Sequence, residues 1–441
     1  MASEPPTARG AAVRALVRVA KDDAWLAPSL DAELTDLPDR RDRAFATELA
    51  YGTLRSVRSI DRAVAAHVPR GLAKVEPLAL AALRVAAYQL LCLARVPPSA
   101  AVNQSVSIVR SARGVGLARF VNAVLRRVAE QAPAEPVRPT RLEVEPWIER
   151  ALVDGVGEAG AEALLAIPTA GPPTCLRVRP DRAQETRLAI ARYAEGIEGA
   201  AVAAGVVAPD AILPSGIGDV RRLLALLDGG AVVQEEGAQA IGELVDVRAQ
   251  ERVLDACAGR GGKTWLLADR MREGSIDAVD VYPTKLDRLD RDVGARVPKG
   301  VTVRTLGIDL SVGTGALAGP YDRVLLDAPC TGLGTLVRRP ELALRRQPED
   351  VERLAAIELA IARRLVPLVR EGGLFVYAVC SPTRAEGRDV IDRLLAEEPS
   401  LALDREPVAR VRAEPDADGL WRFGPWRGGT DAYTAARLRK R

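Results

Sequence analysis

Five short apolar runs alternating with amphipathic stretches fill the second half of the chain, and they constrain its fold more than any other feature. The runs are ERVLDACA (251–258), SIDAVDVY (275–282), VTVRTLGID (301–309), YDRVLLDAP (321–329) and GGLFVYAVC (372–380). Strands separated by helices build a mostly parallel sheet, with ligands at the carboxyl ends of the strands. Between the last two runs, Leu354, Ile361, Leu365 and Leu368 recur at helical spacing, which predicts a helix packed on that sheet over 350–370. This α/β region is expected to span 231–441.

The first 135 residues read differently. In GAAVRALVRVA, Val13, Leu16, Val17 and Ala20 fall on one helical face. The same periodicity continues through 42–68 and 76–94, stops at Pro97-Pro98, and resumes in GLARFVNAVLRRVAE (116–130), so an all-helical block is expected over 1–135. QAPAEPVRPT (131–140) has the proline-rich composition of a linker. The stretch 141–230 mixes helical patterning (146–168) with a short strand in PTCLRVRP (173–180), which suggests a small α+β module.

Charge separates these regions. The net charge is +3, yet residues 1–130 carry 19 Lys and Arg against 12 Asp and Glu. A basic N-terminal third suits a polyanionic partner, because neutralising phosphates releases counterions; a solvated arginine-rich surface is the alternative. Five scattered cysteines with no C-x-x-C pair point to reduced thiols in a cytoplasm. One histidine and no cysteine cluster leave no basis for a metal site. No apolar run reaches the roughly 18–20 residues of a membrane span. MASEPPTARG lacks the layout of a secretory signal. Nothing calls for a second copy, so a monomer is expected.

The chemistry gathers at strand ends. Gly259, Gly261 and Gly262 follow the first run and precede a helix, where glycine lets backbone approach a ligand closely. Asp280 closes the second run, 18 residues past Gly262, where a carboxylate would accept from ribose hydroxyls. Asp309 closes the third run and would read an adenine amino group or simply shape a turn. GRGGKT ends like a phosphate-binding loop, but its first glycine lies too near the lysine for that pattern. Cys330 and Cys380 end the fourth and fifth runs among turn-forming residues, whereas Cys92 and Cys175 read as packing. A thiolate attacks electron-poor carbon, and carbon 6 of a pyrimidine is such a carbon, so base methylation through a cysteine adduct is the working expectation. Arg338, Arg339, Arg345 and Arg346 would bind phosphate or face solvent.

These residues carry a resemblance. VQEEGAQ (233–239), DACAGRGGKT (255–264), AVDV (278–281), DAPCTGLGTLVRRPE (327–341), YAVCSPTRAEG (377–387) and GTDAYTAARLRK (429–440) resemble the RNA cytosine-carbon-5 methyltransferases of the NSUN/RsmB type. AFATELAYGTL, LRVAAYQLL, VPPSAAVNQSV and FVNAVLRR resemble the NusB-like RNA-binding domain in its usual order. The resemblance implies an all-α NusB-like domain, a small α+β module and a Rossmann-like α/β methyltransferase domain. It implies S-adenosylmethionine as cofactor, held by Cys257, Ala258, Gly259, Arg260, Gly261, Gly262, Lys263, Asp280, Asp309 and Asp327. It implies Cys380 as nucleophile, Cys330 as the group that releases the adduct, and small-subunit ribosomal RNA as partner. The chain departs from the family pattern at Gly259-Arg260, where Ala-Pro is usual, at Val379 in place of Thr, and at Gln104 in place of Glu. Three readings stay open: Cys330 as nucleophile, the same chemistry on transfer RNA, and an RNA-binding assembly protein without catalysis.

Overall fold

The computed structural model describes residues 6–169 and 171–441. Residues 1–5, which open both the helical block and the segment read for a secretory signal, and Ala170 of the middle stretch, lie outside the described residues. The chain divides into two compact units.

The first unit holds Met1–Glu145, Leu165–Gly171 and Leu336–Arg345. Its helices are α1 (Ala8–Lys21), α2 (Leu26–Leu34), α3 (Arg40–Arg55), α4 (Val57–Ala65), α5 (Pro77–Cys92), α6 (Pro98–Arg113) and α7 (Val115–Glu130). Proline at the first turn of α5 and α6 suits a position whose N–H has no helical partner. The α5 helix is apolar on nearly every side and forms the centre, burying Leu83, Val85, Ala86, Ala87 and Tyr88.

On α1 the expected face is rotated: Val13 and Leu16 are buried, Val17 is half-buried and Ala20 is exposed. The buried sector includes Ala11, Ala12, Ala15 and Val19 instead. This helix packs against α2, α3 and α5 together, so small residues that a count of large apolar side chains underweights lie inside. Gln104, the departure from the family pattern, accepts from Arg9 at 2.9 Å, and Gln89 accepts from the same guanidinium at 2.6 Å.

The second unit begins with α8 (Pro146–Leu165), which kinks at Gly157 (φ 71°). Then come β1 (Leu176–Val178), α9 (Ala183–Glu195), β2 (Ala201–Ala204), β3 (Ala211–Ser215), α10 (Val220–Leu226) and β4 (Ala231–Val233). The four strands form an antiparallel sheet in the order β2-β3-β1-β4.

The larger sheet follows: α11 (Glu236–Glu243), β5 (Gln250–Ala256), α12 (Gly262–Arg270), β6 (Glu273–Asp280), α13 (Pro283–Arg296), β7 (Val301–Gly307) and β8 (Tyr321–Asp327). After α14 (Leu342–Arg345), a part of the first unit, come α15 (Pro348–Leu365), β9 (Val369–Val379), α16 (Val390–Glu397), β10 (Leu401–Leu403), β11 (Trp421–Phe423) and β12 (Tyr433–Lys440). Strand order is β10-β12-β9-β8-β5-β6-β7, with β11 against β12. All five expected strands are present, and β5 through β9 pair in parallel.

Alternating residues of these strands feed two cores, as a sheet buried on both faces requires. Val324, Leu326, Phe375 and Tyr377 face α15 and α16, where Leu359, Ile361, Leu365 and Leu394 are buried. Val253, Leu325, Leu374 and Val376 face the other core, with Ile241, Leu244 and Leu267. Strand succession runs outward in opposite senses from the parallel β5–β8 pair, β5-β6-β7 to one side and β8-β9 to the other, which leaves a crevice at their carboxyl ends.

Candidate active site

The glycine turn opens that crevice. Cys257 holds a left-handed backbone (φ 63°), followed by Gly259 (φ 61°) and Gly261 (φ 82°). Gly261 caps α12, and a Cβ there would meet Leu289 at 2.9 Å. At Gly259 only the Cys257 carbonyl comes within 4.0 Å of such an atom, and the turn therefore faces open space. The Ala258 N–H donates to the Val279 carbonyl at 2.7 Å, tying the turn to β6. Arg260 is exposed.

Asp280 closes β6 with its carboxylate buried. It accepts from the Gly259 N–H at 2.9 Å and the Tyr282 N–H at 2.9 Å, and Lys285 lies 3.3 Å away. Asp327 closes β8 and accepts from Lys263 at 2.7 Å. Burial would lower the Lys263 ammonium, but the charges of Asp327, Asp255 and Cys380 outweigh it and hold it charged. Behind the turn, Thr264 donates to Asp255 at 2.6 Å. Burial pushes that carboxyl up to about 7, and its Oδ1 has no hydrogen-bond partner. Asp309 lies two residues past the end of β7, exposed, and accepts from the Ser311 N–H and hydroxyl at 2.9 and 2.6 Å. The Ser311 contacts draw its carboxyl below the usual range.

The two thiols meet. Cys330 Sγ and Cys380 Sγ are 3.3 Å apart, both half-buried, one past β8 and the other past β9. Hydrogen bonding to Cys380 and then burial raise the Cys330 thiol well above its ordinary value. Burial also raises Cys257, beside Asp327 and Asp280. The fold thus brings Cys330 to Cys380, Lys263 to Asp327, and Gly259 to Asp280. The hydrogen bonds of Asp309 are to Ser311 of its own turn.

Backbone stitches fix the thiol loops. The Gly334 N–H donates to the Cys380 carbonyl at 3.1 Å, and the Ala432 N–H to the Gly334 carbonyl at 2.9 Å. Arg346 donates to the carbonyls of Thr331 (2.8 Å) and Cys330 (3.2 Å). Arg345, in the first unit, donates to the carbonyls of Val19 and Ala24. Two of the four arginines expected to face phosphate or solvent therefore hold backbone.

Sequence reading missed three supports. Gly155 of α8 approaches the Cys380 loop so closely that a Cβ would sit 1.9 Å from the Pro382 carbonyl oxygen; the repeated glycines of DGVGEAG were the available signal. Arg177, on β1 and 1% exposed, donates to Gln234 at 2.7 Å and pairs with Asp269 of α12. Gln234 in turn donates to the Gly262 carbonyl at 3.2 Å, so the small sheet braces the glycine turn. Glu386, buried between the two thiol loops, is the third. Among the described residues no helix is long and apolar enough to cross a membrane, and no three His, Cys, Asp or Glu side chains are placed to hold a metal ion.

Residues 243–439 match the family described as 16S rRNA methyltransferase RsmB/F, and residues 6–130 match the NusB family. Among curated proteins, the probable ribosomal RNA small subunit methyltransferase B of Bacillus subtilis is 31% identical over 98% of both chains. A putative methyltransferase of Mycobacterium tuberculosis, Rv1407, is 36% identical over 98% of this chain and 96% of that one. Among solved structures, the one titled as the crystal structure of PH0851 superposes with a TM-score of 0.84 at 23% identity, covering 99% of each chain, a likeness of fold.

Proposed function

The chain belongs to the RsmB/F family of rRNA methyltransferases, and from that premise we propose that it methylates carbon 5 of a cytosine in small-subunit ribosomal RNA through a covalent adduct with Cys380. The observation that carries this reading is the 3.3 Å approach of two thiols beside a charged lysine at the crevice of a Rossmann-like sheet. The NusB-family segment and its basic balance support an RNA substrate.

S-adenosylmethionine, when bound, supplies a methyl group on a positively charged sulfur. The residues around the glycine turn suit it: open space lies over Gly259, and the Asp280 and Asp327 carboxylates stand at adjacent strand ends. Cys257, Ala258, Gly259, Arg260, Gly261, Gly262, Lys263, Asp280, Asp309 and Asp327 are the residues we assign to holding it. Asp309 would do so only from its exposed turn.

The target base must first leave its stack. The Lys263 ammonium, influenced electrostatically by Cys380, favours a thiolate there, and the Cys330 thiol donates its hydrogen to that thiolate. The Cys380 sulfur bonds to carbon 6 of cytosine, and the electron pair of the 5,6 double bond moves to carbon 5, which takes the methyl group. Adduct formation removes the hydrogen bond to Cys380, and with it the Cys380 charge, that helped to raise Cys330. Its thiol then loses its proton to solvent, and the resulting thiolate accepts the carbon-5 proton as the carbon–sulfur bond breaks, the double bond returns and Cys380 leaves as thiolate, so that one proton is released per methyl group transferred.

The test incubates wild type, Cys330→Ala and Cys380→Ala with S-adenosylmethionine and small-subunit rRNA, followed by denaturing electrophoresis. A slow-migrating protein–RNA species that accumulates only in Cys330→Ala is expected. Accumulation only in Cys380→Ala would reverse the roles, and no adduct with any variant together with no methyl transfer by wild type would overturn the reading.

A further inference from the structure

One buried carboxylate joins the two thiol loops. Glu386 lies six residues past Cys380, in a wide π-type turn (Ala385–Asp389) that opens α16, and it is fully buried. Its Oε1 accepts from the Thr331 N–H. Its Oε2 accepts from the hydroxyls of Thr331 (2.6 Å), Ser381 and Thr383 (2.8 Å). Thr331 follows Cys330 directly and Ser381 follows Cys380 directly. The Thr331 hydroxyl also lies 3.2 Å from that of Ser381, so the two loops meet at this one acid.

We infer that Glu386 is a positioning residue for the thiol pair, whose ties to Thr331 and Ser381 keep the two sulfur atoms at the separation that adduct resolution requires. This rests on the two-thiol reaction proposed above. Three considerations support it. Both oxygens already accept hydrogen bonds, three of them on Oε2, so the group is badly placed to take a proton from substrate. Burying a carboxylate is a poor route to stability, since well-packed apolar side chains serve as well or better. A second buried acid, Glu358, accepts from Tyr377 at 2.7 Å, while the same hydroxyl contacts the Glu386 carbonyl. Burial and then the Glu386 charge push Glu358 up to about 10, which leaves Glu358 neutral. The fold tolerates two adjacent buried acids here, and two of the three residues that donate to Glu386, Thr331 and Ser381, adjoin the thiols.

A tie between nucleophile and release group affects the second half of the reaction more than the first. Attack on carbon 6 needs Cys380 alone, whereas release needs both sulfurs in register. Displacements of about 1 Å at a reacting centre slow a step by about 100-fold.

The experiment compares Glu386→Gln, Thr331→Val and Ser381→Ala with wild type and Cys330→Ala, using S-adenosylmethionine and small-subunit rRNA. Single-turnover adduct formation and adduct release are timed separately, alongside thermal unfolding and the S-adenosylmethionine dissociation constant. In Glu386→Gln, formation should stay within about threefold while release slows by about 100-fold, so that adduct accumulates as in Cys330→Ala. Thr331→Val and Ser381→Ala should shift the same way by smaller factors. Equal slowing of both steps without accumulation, in folded and cofactor-binding Glu386→Gln, would overturn the inference. If Glu386→Gln does not fold, the two hydroxyl variants decide it by the same criterion. Failure of Cys330→Ala itself to accumulate adduct would instead remove the two-thiol reaction and the inference with it.

Discussion

Replacing Gly334 with alanine perturbs the site through contacts that leave little room to relax. A Cβ at Gly334 would lie 2.1 Å from the Ala432 carbonyl oxygen and 2.9 Å from that of Cys380. Both neighbours are backbone, and Ala432 directly precedes β12, which is paired along β9. To reach ordinary contact the Ala432 carbonyl must retreat by about 1 Å, an overpacking that costs about 1–3 kcal/mol. That retreat also stretches the two hydrogen bonds that Gly334 shares with Cys380 and Ala432, worth about 1 kcal/mol each. A loss of about 2–5 kcal/mol should lower the midpoint of thermal unfolding by several degrees in a unit of this size. The Cys380 carbonyl lies on one side of the clash, so the methylation rate should drop by about 100-fold. Differential scanning calorimetry and tritiated-methyl incorporation into small-subunit rRNA read the two effects. Gly116→Ala, on α7 with nothing within 4 Å of the new atom, should leave both unchanged or add up to about 1 kcal/mol. A Gly334→Ala enzyme with the wild-type midpoint and near wild-type methylation would refute the reasoning.

Three further outcomes are expected. Arg270→Met leaves the buried carboxylate of Glu243 and the half-buried one of Asp210 without their shared cation, and should lose about 3–5 kcal/mol in urea titration; a loss below about 1 kcal/mol would contradict this. For Asp255 the folded-state carboxyl is raised to about 7, so its contribution is full below the ordinary carboxylate range and is lost as pH rises through about 7. The unfolding midpoint of wild type should therefore fall relative to Asp255→Asn between about pH 4 and pH 7, and parallel curves would refute the assignment. Lys263→Met removes the positive charge that favours the Cys380 thiolate, so the pH profile of single-turnover methylation should move to higher pH. A profile of unchanged shape and lower amplitude would show that the lysine does not act on the thiol.

The strands and their order of function were legible because each run of β5 to β9 is short, apolar and closed by a glycine, aspartate or cysteine. The thiol pair was legible as two motifs at the ends of two strands, but the distance between the sulfur atoms was not. Fifty residues separate Cys330 from Cys380, and only the parallel pairing of β8 with β9 brings them to 3.3 Å. Arg177 read as one arginine among many, since its partners Gln234 and Asp269 lie 57 and 92 residues away. Gly155 was hidden for another reason. Glycine inside a helical pattern reads as a weak helix, and its use, a close approach to Pro382, depends on tertiary packing. Asp309 shows the opposite case: a residue at the expected spacing whose carboxylate closes a local turn with Ser311.

The most direct test of the central claim uses small-subunit rRNA carrying 5-fluorocytidine, with methyl-labelled S-adenosylmethionine. Fluorine at carbon 5 cannot leave as a proton does, so release is blocked after methyl transfer. The account predicts a stable protein–RNA species that carries the label, with the nucleotide attached to the peptide containing Cys380. Labelled RNA with no protein attached, or attachment at Cys330, would contradict it.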